Sequence, residues 1–393
     1  MDSKKARKFD VVIFGATGFT GGLTTEYLAR HSHNGLRWAL AGRNLDKLAA
    51  VRERLVSINP ACAALELLQA DVADAASISR VAESAKVVIT TVGPYLKFGE
   101  PLVAACAAAG TDYVDLTGEP EFVDRMWLKY HAMAVKSGAR IVNCCGFDSI
   151  PHDLGALFTV QQLPENVPIK VEGFVRAGGK FSGGTFHSAI NAMSRMREGA
   201  KVAKQRRELD QNPPGRKISS THEKIHYDRY FKSWAVPMPT IDPQMVRRSA
   251  AANSRYGPDF RYGHYMLLKH LPQVGGLLAA VSGMFVGAQF SLTRNRLLAI
   301  ISPGEGPDAA RREKSWFKVR FIGEGGGKRV VTEVAGGDPG YGETSKMLAE
   351  SALCLAFDAL PKQGGVLTPA QAMGDELMGR LQAQGISFTV LAE

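Results

Sequence analysis

"FDVVIFGATGFTGGLTTEYLARH", residues 9–31, is the stretch that decides the fold of this chain. Residues 10–14 are rich in β-branched side chains, which predicts a short buried strand, and the end of the stretch has the composition of a helix. Gly15, Gly18 and Gly21 lie between the two at three-residue spacing. Glycines at a first strand-to-helix turn let the backbone approach a pyrophosphate, whose charge then faces the helix N-terminus. The stretch therefore predicts a dinucleotide-binding turn.

The next predicted strand, "LRWALAGRN" at residues 36–44, indicates which nucleotide is bound. A carboxylate near the end of this strand would accept a hydrogen bond from the ribose 2′-hydroxyl of NAD, but residues 36–45 contain none. Arg43 stands there instead, with Lys47 one helical turn further on. A guanidinium can hold the oxygens of a 2′-phosphate in pairs, so the sequence predicts NADP(H) as the cofactor.

Strands and helices continue to alternate through residues 1–150, which predicts a parallel, doubly wound Rossmann sheet of six strands. Ligands of such sheets bind beyond the carboxyl ends of the strands. Asp71 ends the third strand and is expected beside the adenine. The other residues expected to face the ligand are Thr91, Val92, Gly93, Pro94, Tyr95, Asp115 and Asp148.

Residues 151–393 lose this alternation and predict a second domain for substrate binding and oligomerisation. A strand ending near Ala177 precedes a long helix from about Gly184, and "SWFKVRFIGEGGGKRVVTEVAG" predicts a hairpin around residues 325–327. Strands joined by tight turns beside long helices favour a mixed or antiparallel sheet covered on one side. The expected fold class is therefore α/β, an N-terminal Rossmann domain followed by a mixed α+β domain.

The composition of the 393 residues, 45% hydrophobic and 22% charged, is typical of a globular protein. The five cysteines show no paired CxxC spacing, so we expect no metal site and a reducing compartment. The apolar run after the basic N-terminus is too short for a signal peptide, which favours a cytoplasmic location.

The net charge of +10 is uneven, since residues 1–150 carry +1 and residues 151–393 carry +9. Much of the excess lies in residues 195–209, whose composition is helical. This run lacks interleaved aromatic residues and any nucleic-acid-binding motif, so we expect no nucleic acid partner. A solvated basic helix is the ordinary interpretation, and an acidic protein, a phosphate-bearing substrate or an anionic membrane are the alternatives.

Residues 271–292, "LPQVGGLLAAVSGMFVGAQFSL", contain no charged side chain. The run reaches the roughly 20 residues that a bilayer requires, but Pro272 and four glycines weaken it as an autonomous helix, and a span would divide the second domain. Three interpretations remain open: a buried helical hairpin in the core, a membrane-docking surface, or the wall of an acyl-chain groove. The basic flanks and the small residues favour the last two.

Four motifs, "GATGFTG", "WALAGRN" followed by "DKL", "VGPYLKFGEPLVAACAAAGTDYVDLTGEP" and "GFDSIPHDLG", resemble the saccharopine dehydrogenase-like oxidoreductases. Two later stretches, "SWFKVRFIGEGGGKRVVTEVAGGDPGYGETSKMLAESALCLA" and "GGVLTPAQAMGDELMGRL", are similar to the trans-acting enoyl reductases, which reduce double bonds in carrier-bound polyketide chains during long-chain lipid synthesis. The likeness covers nearly the whole chain. It implies that the nucleotide is held by Gly15, Thr17, Gly18, Phe19, Thr20, Gly21 and Arg43, and Ala16 in the same turn is a further candidate.

The resemblance implies hydride transfer from NADPH to the β-carbon of an α,β-unsaturated thioester, with an acid protonating the α-carbon. The expected partners are a lipidic or acyl-thioester substrate, an acyl carrier or polyketide synthase, a peripheral membrane contact and a second copy in a homodimer. Two alternatives stay open. One is an amino-acid-derived imine as substrate, which the apolar residues 271–292 put in doubt, and the other is a nucleotide-binding membrane scaffold without turnover.

Candidate catalytic residues follow from position alone. Tyr95 lies just after the fourth strand, where the nicotinamide is expected, Lys97 is two residues further on, and Asp148 follows the sixth strand. His152 and His187 are alternatives. Each of the first three also has an ordinary interpretation: Tyr95 as packing, Lys97 as a solvent-facing residue and Asp148 as a helix cap.

Overall fold

The computed structural model of the chain describes residues 6–31, 35–178, 183–221, 224–300 and 308–392. The strands are β1 Phe9–Phe14, β2 Trp38–Gly42, β3 Glu66–Gln69, β4 Ala85–Thr90, β5 Asp112–Val114, β6 Arg140–Val142, β7 Ile169–Gly178, β8 Lys217–Ser220, β9 His226–Asp228, β10 Ser233–Pro237, β11 Asp259–Leu268, β12 Trp316–Gly325, β13 Lys328–Gly336, β14 Gly365–Leu367 and β15 Ser387–Leu391. The helices are α1 Phe19–His31, α2 Leu45–Val56, α3 Ala75–Ser84, α4 Tyr95–Phe98, α5 Glu100–Ala109, α6 Pro120–Ser137, α7 Ile150–Gln161, α8 Gly183–Ser194, α9 Met196–Leu209, α10 Asp242–Ala252, α11 Leu271–Gln289, α12 Ser291–Leu298, α13 Ala309–Glu313, α14 Gly342–Phe357, α15 Pro369–Ala372 and α16 Gly374–Ala383.

The first sheet has seven parallel strands in the order β14-β6-β5-β4-β1-β2-β3. The interior strand β1 is buried along its whole length between β2 and β4, which explains its run of apolar side chains. The Rossmann-like α/β sheet is therefore confirmed. It gains a seventh strand because β14 pairs with β6 at the edge. The predicted domain boundary at residue 150 separates the first six strands from the rest of the chain. Strand β14 lies beyond that boundary in sequence, yet it pairs in the first sheet.

The second sheet has the order β15-β13-β12-β7-β11-β10-β9, and β8 also pairs with β11. Strand β11 runs parallel to β7 and β8, whereas the other pairs are antiparallel, so the sheet is mixed as expected. Gly326 and Gly327, both at positive φ, form the two-residue turn of the β12–β13 hairpin.

Helix α7 joins the two sheets. It follows β6 and packs against β7, β12 and β13. Gly155 permits this approach, since a Cβ at that position would lie 2.3 Å from Cε2 of Phe321. Helix α14 returns to the first sheet and packs on α1 and β4. Side chains from both sheets consequently form one continuous hydrophobic core.

The apolar residues 271–292 lie outside this core. Helix α11 is continuous, and only Val274 and Ala288 in it are buried. Pro272 falls in the first turn, where its missing N–H removes no helical hydrogen bond. The interpretation of the segment as a buried hairpin is therefore wrong, and the docking surface and the groove wall remain. Among the described residues, α11 is the one helix whose length and composition would allow it to cross a bilayer.

Candidate functional site

The glycine turn between β1 and α1 leaves its backbone open to a ligand. Gly15 has a φ of +95°, and a Cβ there would lie 2.7 Å from Cγ2 of Val92. A Cβ at Gly21 would lie 2.2 Å from the carbonyl oxygen of Gly15. Thr17 and Gly18 are exposed at the start of α1, whose first-turn N–H groups lack helical acceptors. The turn therefore presents backbone donors to an anion in the position that a pyrophosphate would take.

Arg43 follows β2 directly, and its side chain is exposed, as is that of Lys47 in the first turn of α2. The backbone here is held by two hydrogen bonds. Asn44 accepts one from the N–H of Lys47 at 2.9 Å, and Gln69 donates one to the carbonyl oxygen of Arg43 at 3.3 Å. A fixed backbone with an exposed guanidinium at the end of β2 suits the recognition of a ribose 2′-phosphate.

The residues after β3 and β4 complete this edge of the first sheet. The hydroxyl of Thr91 donates to the carbonyl oxygen of Gly15 at 3.1 Å, which ties the end of β4 to the glycine turn. The Gly93–Pro94 peptide that follows is cis. Because the strands are parallel, the structure brings every predicted cofactor-binding residue to one edge, although their contact with the cofactor stays a prediction. These residues are Gly15, Ala16, Thr17, Gly18, Phe19, Thr20, Gly21, Arg43, Lys47, Asp71, Thr91, Val92, Gly93 and Pro94.

The structure places Tyr95 in the packed interior and Lys97 at the surface, which matches the non-catalytic interpretation of each residue. The hydroxyl of Tyr95 donates to the carbonyl oxygen of Thr90 and accepts from the N–H of Leu116, each at 3.2 Å. Burial raises the pKa of this phenol well above its usual value. Lys97 is exposed, with Nζ 5.0 Å from the centroid of the Phe98 ring. Their catalytic roles remain predictions.

Two carboxylates organise the loop after β5. Asp115 accepts hydrogen bonds from the hydroxyl of Tyr113 at 2.9 Å, from the amide of Asn143 at 2.7 Å and from two backbone N–H groups. Burial raises the pKa of Asp115 to about 6. Glu119, which sequence reasoning missed, accepts from the N–H of Tyr95 at 2.9 Å. Both carboxylates therefore hold backbone in place around the expected nicotinamide position.

Asp148 lies where β6 leads into α7. A Cβ at Gly118, in the loop after β5, would lie 3.0 Å from Oδ2 of Asp148, so this carboxyl sits against the expected nicotinamide end of the edge. Burial raises the pKa of Asp148 to about 6, and the negative charge of Asp242 acts in the same direction.

A buried cluster of His152, Asp242 and His264 adjoins this position. Nδ1 of His152 lies 2.9 Å from Oδ1 of Asp242, and Nε2 of His264 lies 3.5 Å from Oδ2 of Asp242. Burial lowers the pKa of His264 to about 4. Burial also raises the pKa of Asp242, but the two histidines more than offset this and hold it below its usual value. Sequence reasoning considered His152 alone, because the three residues lie on α7, α10 and β11 with no local spacing to connect them.

Tyr341, also missed from the sequence, packs against Phe19 beside the glycine turn. Its ring meets that of Phe19 edge to face, with the centroids 4.8 Å apart, and its hydroxyl accepts from the N–H of Gly183 at 3.2 Å. The glycine-rich "GGDPGYGE" around it was the available signal. His187 is half-buried on α8.

Known proteins place this chain in a family. Residues 11–142 match the saccharopine dehydrogenase NADP binding domain. A Mycobacterium tuberculosis protein provisionally named a trans-acting enoyl reductase is 38% identical to this chain over 97% of both chains. A trans-acting enoyl reductase from Mycobacterium ulcerans and a saccharopine dehydrogenase-like oxidoreductase from Bos taurus are 35% and 32% identical, each over 98% of both chains. The chain belongs to the saccharopine dehydrogenase-like oxidoreductases.

The oxidoreductase is NADP-dependent, as predicted. Side chains at Gly15 and Gly21 would collide with neighbouring protein atoms, so glycine at these positions keeps the tight turn that a dinucleotide pyrophosphate requires. A solved structure, the apo saccharopine dehydrogenase (L-Glu forming) from Saccharomyces cerevisiae, has the same fold with a TM-score of 0.56. It is 14% identical and covers 98% of this chain and 100% of that chain. This likeness concerns the fold alone.

Proposed function

We propose that this oxidoreductase uses NADPH to reduce the carbon–carbon double bond of an enoyl thioester on a lipid or polyketide chain held by a carrier. The observation that carries the proposal is the exposed Arg43 beside the open glycine turn, which is an arrangement for a phosphorylated dinucleotide. The names of the relatives at 35–38% identity support the enoyl substrate. An acyl carrier or polyketide synthase as the source of substrate, and a homodimer, belong to the same proposal.

Asp148 is the proton donor in this proposal. When bound, NADPH supplies the hydride that the β-carbon accepts, and a proton must then reach the α-carbon. The carboxyl of Asp148 lies against the loop after β5, at the expected nicotinamide end. The hydroxyl of Tyr95, by contrast, is engaged by two backbone groups, and Lys97 is exposed to solvent.

The reaction is tested by following NADPH oxidation with short- and long-chain 2-enoyl thioesters, and separately with a keto acid plus an amino acid. We expect one NADPH to be consumed for each double bond reduced, and no consumption with the keto acid mixture. Turnover with the keto acid mixture alone would support the imine alternative. NADPH binding without any turnover would support the scaffold.

The role of Asp148 is tested by Asp148→Asn. Loss of general acid catalysis should lower kcat by about a hundredfold or more, while the Kd for NADPH stays unchanged because the glycine turn is untouched. Tyr95→Phe serves as the comparison and should retain most of kcat. An Asp148→Asn enzyme with the kcat of the unmodified chain would remove Asp148 from the mechanism.

The exposed face of α11 and the start of α12 form a docking surface for an anionic membrane in this proposal, at the cytoplasmic side. Large apolar side chains are exposed there, with Val286 58%, Phe290 64% and Leu292 67% accessible. Residues 269–300 contain no aspartate or glutamate, and Arg294 lies on α12. An exposed apolar face with basic neighbours matches the acyl boundary and headgroups of an anionic lipid surface.

A further inference from the structure

His152, Asp242 and His264 form a buried titratable cluster that the proposed oxidoreductase reaction does not use. Their exposed fractions are 2%, 3% and 5%. Each residue offers one nitrogen or carboxylate oxygen, and these three atoms all lie within 4.8 Å of one another. The three side chains come from α7, α10 and β11, so the cluster joins the helix after the first sheet to the second sheet.

Four polar atoms of the cluster lack aligned hydrogen-bond partners among the described residues. Nδ1 of His152 and Oδ1 of Asp242 lie 2.9 Å apart, yet neither forms an aligned hydrogen bond. Nε2 of His152 and Nε2 of His264 also form no aligned hydrogen bond with the described residues. A buried polar atom without a partner is destabilising, because nothing compensates the loss of its contacts with water. A cation bound by one nitrogen of each histidine and by Oδ1 of Asp242 would satisfy three of these four atoms.

The surroundings orient the ligands as metal sites require. The hydroxyl of Tyr262 lies 3.3 Å from Nδ1 of His264, which leaves Nε2 of that ring for a ligand. The hydroxyl of Thr240 donates to Oδ2 of Asp242 and leaves Oδ1. Metal-bound histidines and carboxylates are commonly fixed by such outer hydrogen bonds. A cavity of about 130 Å³, lined by Tyr262 and His264 among others, borders the His264 side of the cluster.

We propose that His152, Asp242 and His264 bind a Zn²⁺ ion, each through one atom. Two imidazoles and one carboxylate form a ligand set that Zn²⁺ accepts with water in a fourth position, whereas Ca²⁺ and Mg²⁺ prefer oxygen ligands alone. The ion fastens α10 and β11 to the first turn of α7. The proposal does not depend on the substrate of the oxidoreductase.

The test is a Zn²⁺ titration of the full chain after dialysis against a chelator, with bound zinc measured by elemental analysis and Tm measured in parallel. We expect about one zinc per chain, since the described residues contain one such cluster, and a higher Tm with zinc than without it. Asp242→Asn, which keeps the shape of the side chain, should lose the zinc. His270→Asn removes an exposed histidine on α11's N-terminal side and should leave zinc binding unchanged.

Tyr262→Phe keeps the test decisive if Asp242→Asn does not fold. Removing the hydroxyl beside Nδ1 of His264 should weaken zinc binding by about 10–100-fold. Absence of stoichiometric zinc in the unmodified chain would overturn the proposal. So would equal zinc affinity in the unmodified chain, Asp242→Asn and Tyr262→Phe, because zinc would then bind elsewhere.

Discussion

The carboxyl edge of the first sheet and the outer face of α11 are both exposed, but they expose different kinds of atoms. The edge presents backbone N–H groups at the glycine turn and the guanidinium of Arg43. The face of α11 presents aliphatic and aromatic side chains, such as Phe285 and Val286. Fixed polar donors select one small anionic ligand, whereas an apolar surface accepts any partner that covers it. The polar groups at the edge therefore indicate which ligand binds there, whereas the partner of α11 has to be identified by a binding measurement.

The largest effect is expected for Gly18→Val at the edge. A Cβ at Gly18 has no protein atom nearer than 3.5 Å, so the fold should tolerate the change, but the side chain would stand where the pyrophosphate approaches. Losing two hydrogen bonds to a charged phosphate, at about 1.5–3 kcal/mol each, weakens NADPH binding by about a hundredfold or more. Fluorescence titration with NADPH measures the Kd.

Gly276→Val on α11 is the matched control for this comparison. A Cβ at Gly276 meets nothing within 4 Å, and the residue is exposed. The same substitution there should leave the Kd for NADPH unchanged. If Gly18→Val bound NADPH as tightly as Gly276→Val, the glycine turn would not be the pyrophosphate site.

The next effect concerns the choice between the two coenzymes. Arg43→Ala removes one charge-assisted contact to the 2′-phosphate, which is worth about 1.5–3 kcal/mol, so NADPH binding should weaken by about 10–100-fold. NADH lacks that phosphate, and its affinity should not change. Lys47→Ala should give a smaller loss, since an ammonium is a point charge rather than a paired donor. Equal losses for NADPH and NADH in Arg43→Ala would contradict the assignment.

Sequence reasoning succeeded where function depends on neighbours in the chain. The turn between β1 and α1 and the β12–β13 hairpin each follow from a few consecutive residues, and the parallel first sheet follows from the alternation, whereas the role of Arg43 stays a prediction. It failed where distant residues meet. The cluster of His152 and Asp242 depends on the packing of α10 against α7, and β14 reaches the first sheet from near the end of the chain.

Residues 271–292 were ambiguous for a different reason. Their composition suits both a buried helix and an exposed docking helix, because hydropathy does not record which neighbours cover a surface. Only the packing of α11 beside α8 and α12, at the outside of the second sheet, decides between the two.

A smaller effect is expected at the contact between α7 and the second sheet. Gly155→Ala places a Cβ 2.3 Å from the ring of Phe321 and 2.9 Å from Val334, and such overpacking costs about 1–3 kcal/mol. Urea unfolding should show this loss. Gly379→Ala on α16, where a Cβ meets nothing within 4 Å, should instead stabilise the chain by about 0.4–1 kcal/mol. A Gly155→Ala chain as stable as the unmodified one would mean that α7 does not pack this closely.

The smallest effect distinguishes the two remaining interpretations of α11. A Cβ at Gly283 meets nothing within 4 Å, so Gly283→Leu should fold normally. On a docking surface the new side chain enters the acyl boundary and strengthens binding to anionic vesicles by about 1 kcal/mol, roughly fivefold in a flotation assay. In a groove wall it fills the space of the alkyl chain, so turnover of long enoyl thioesters falls while that of short ones does not. Gly379→Leu, an equally open helical site on α16, controls for added hydrophobicity and should change neither measurement. Vesicle binding that is absent in the unmodified chain and in Gly283→Leu alike would contradict the docking surface.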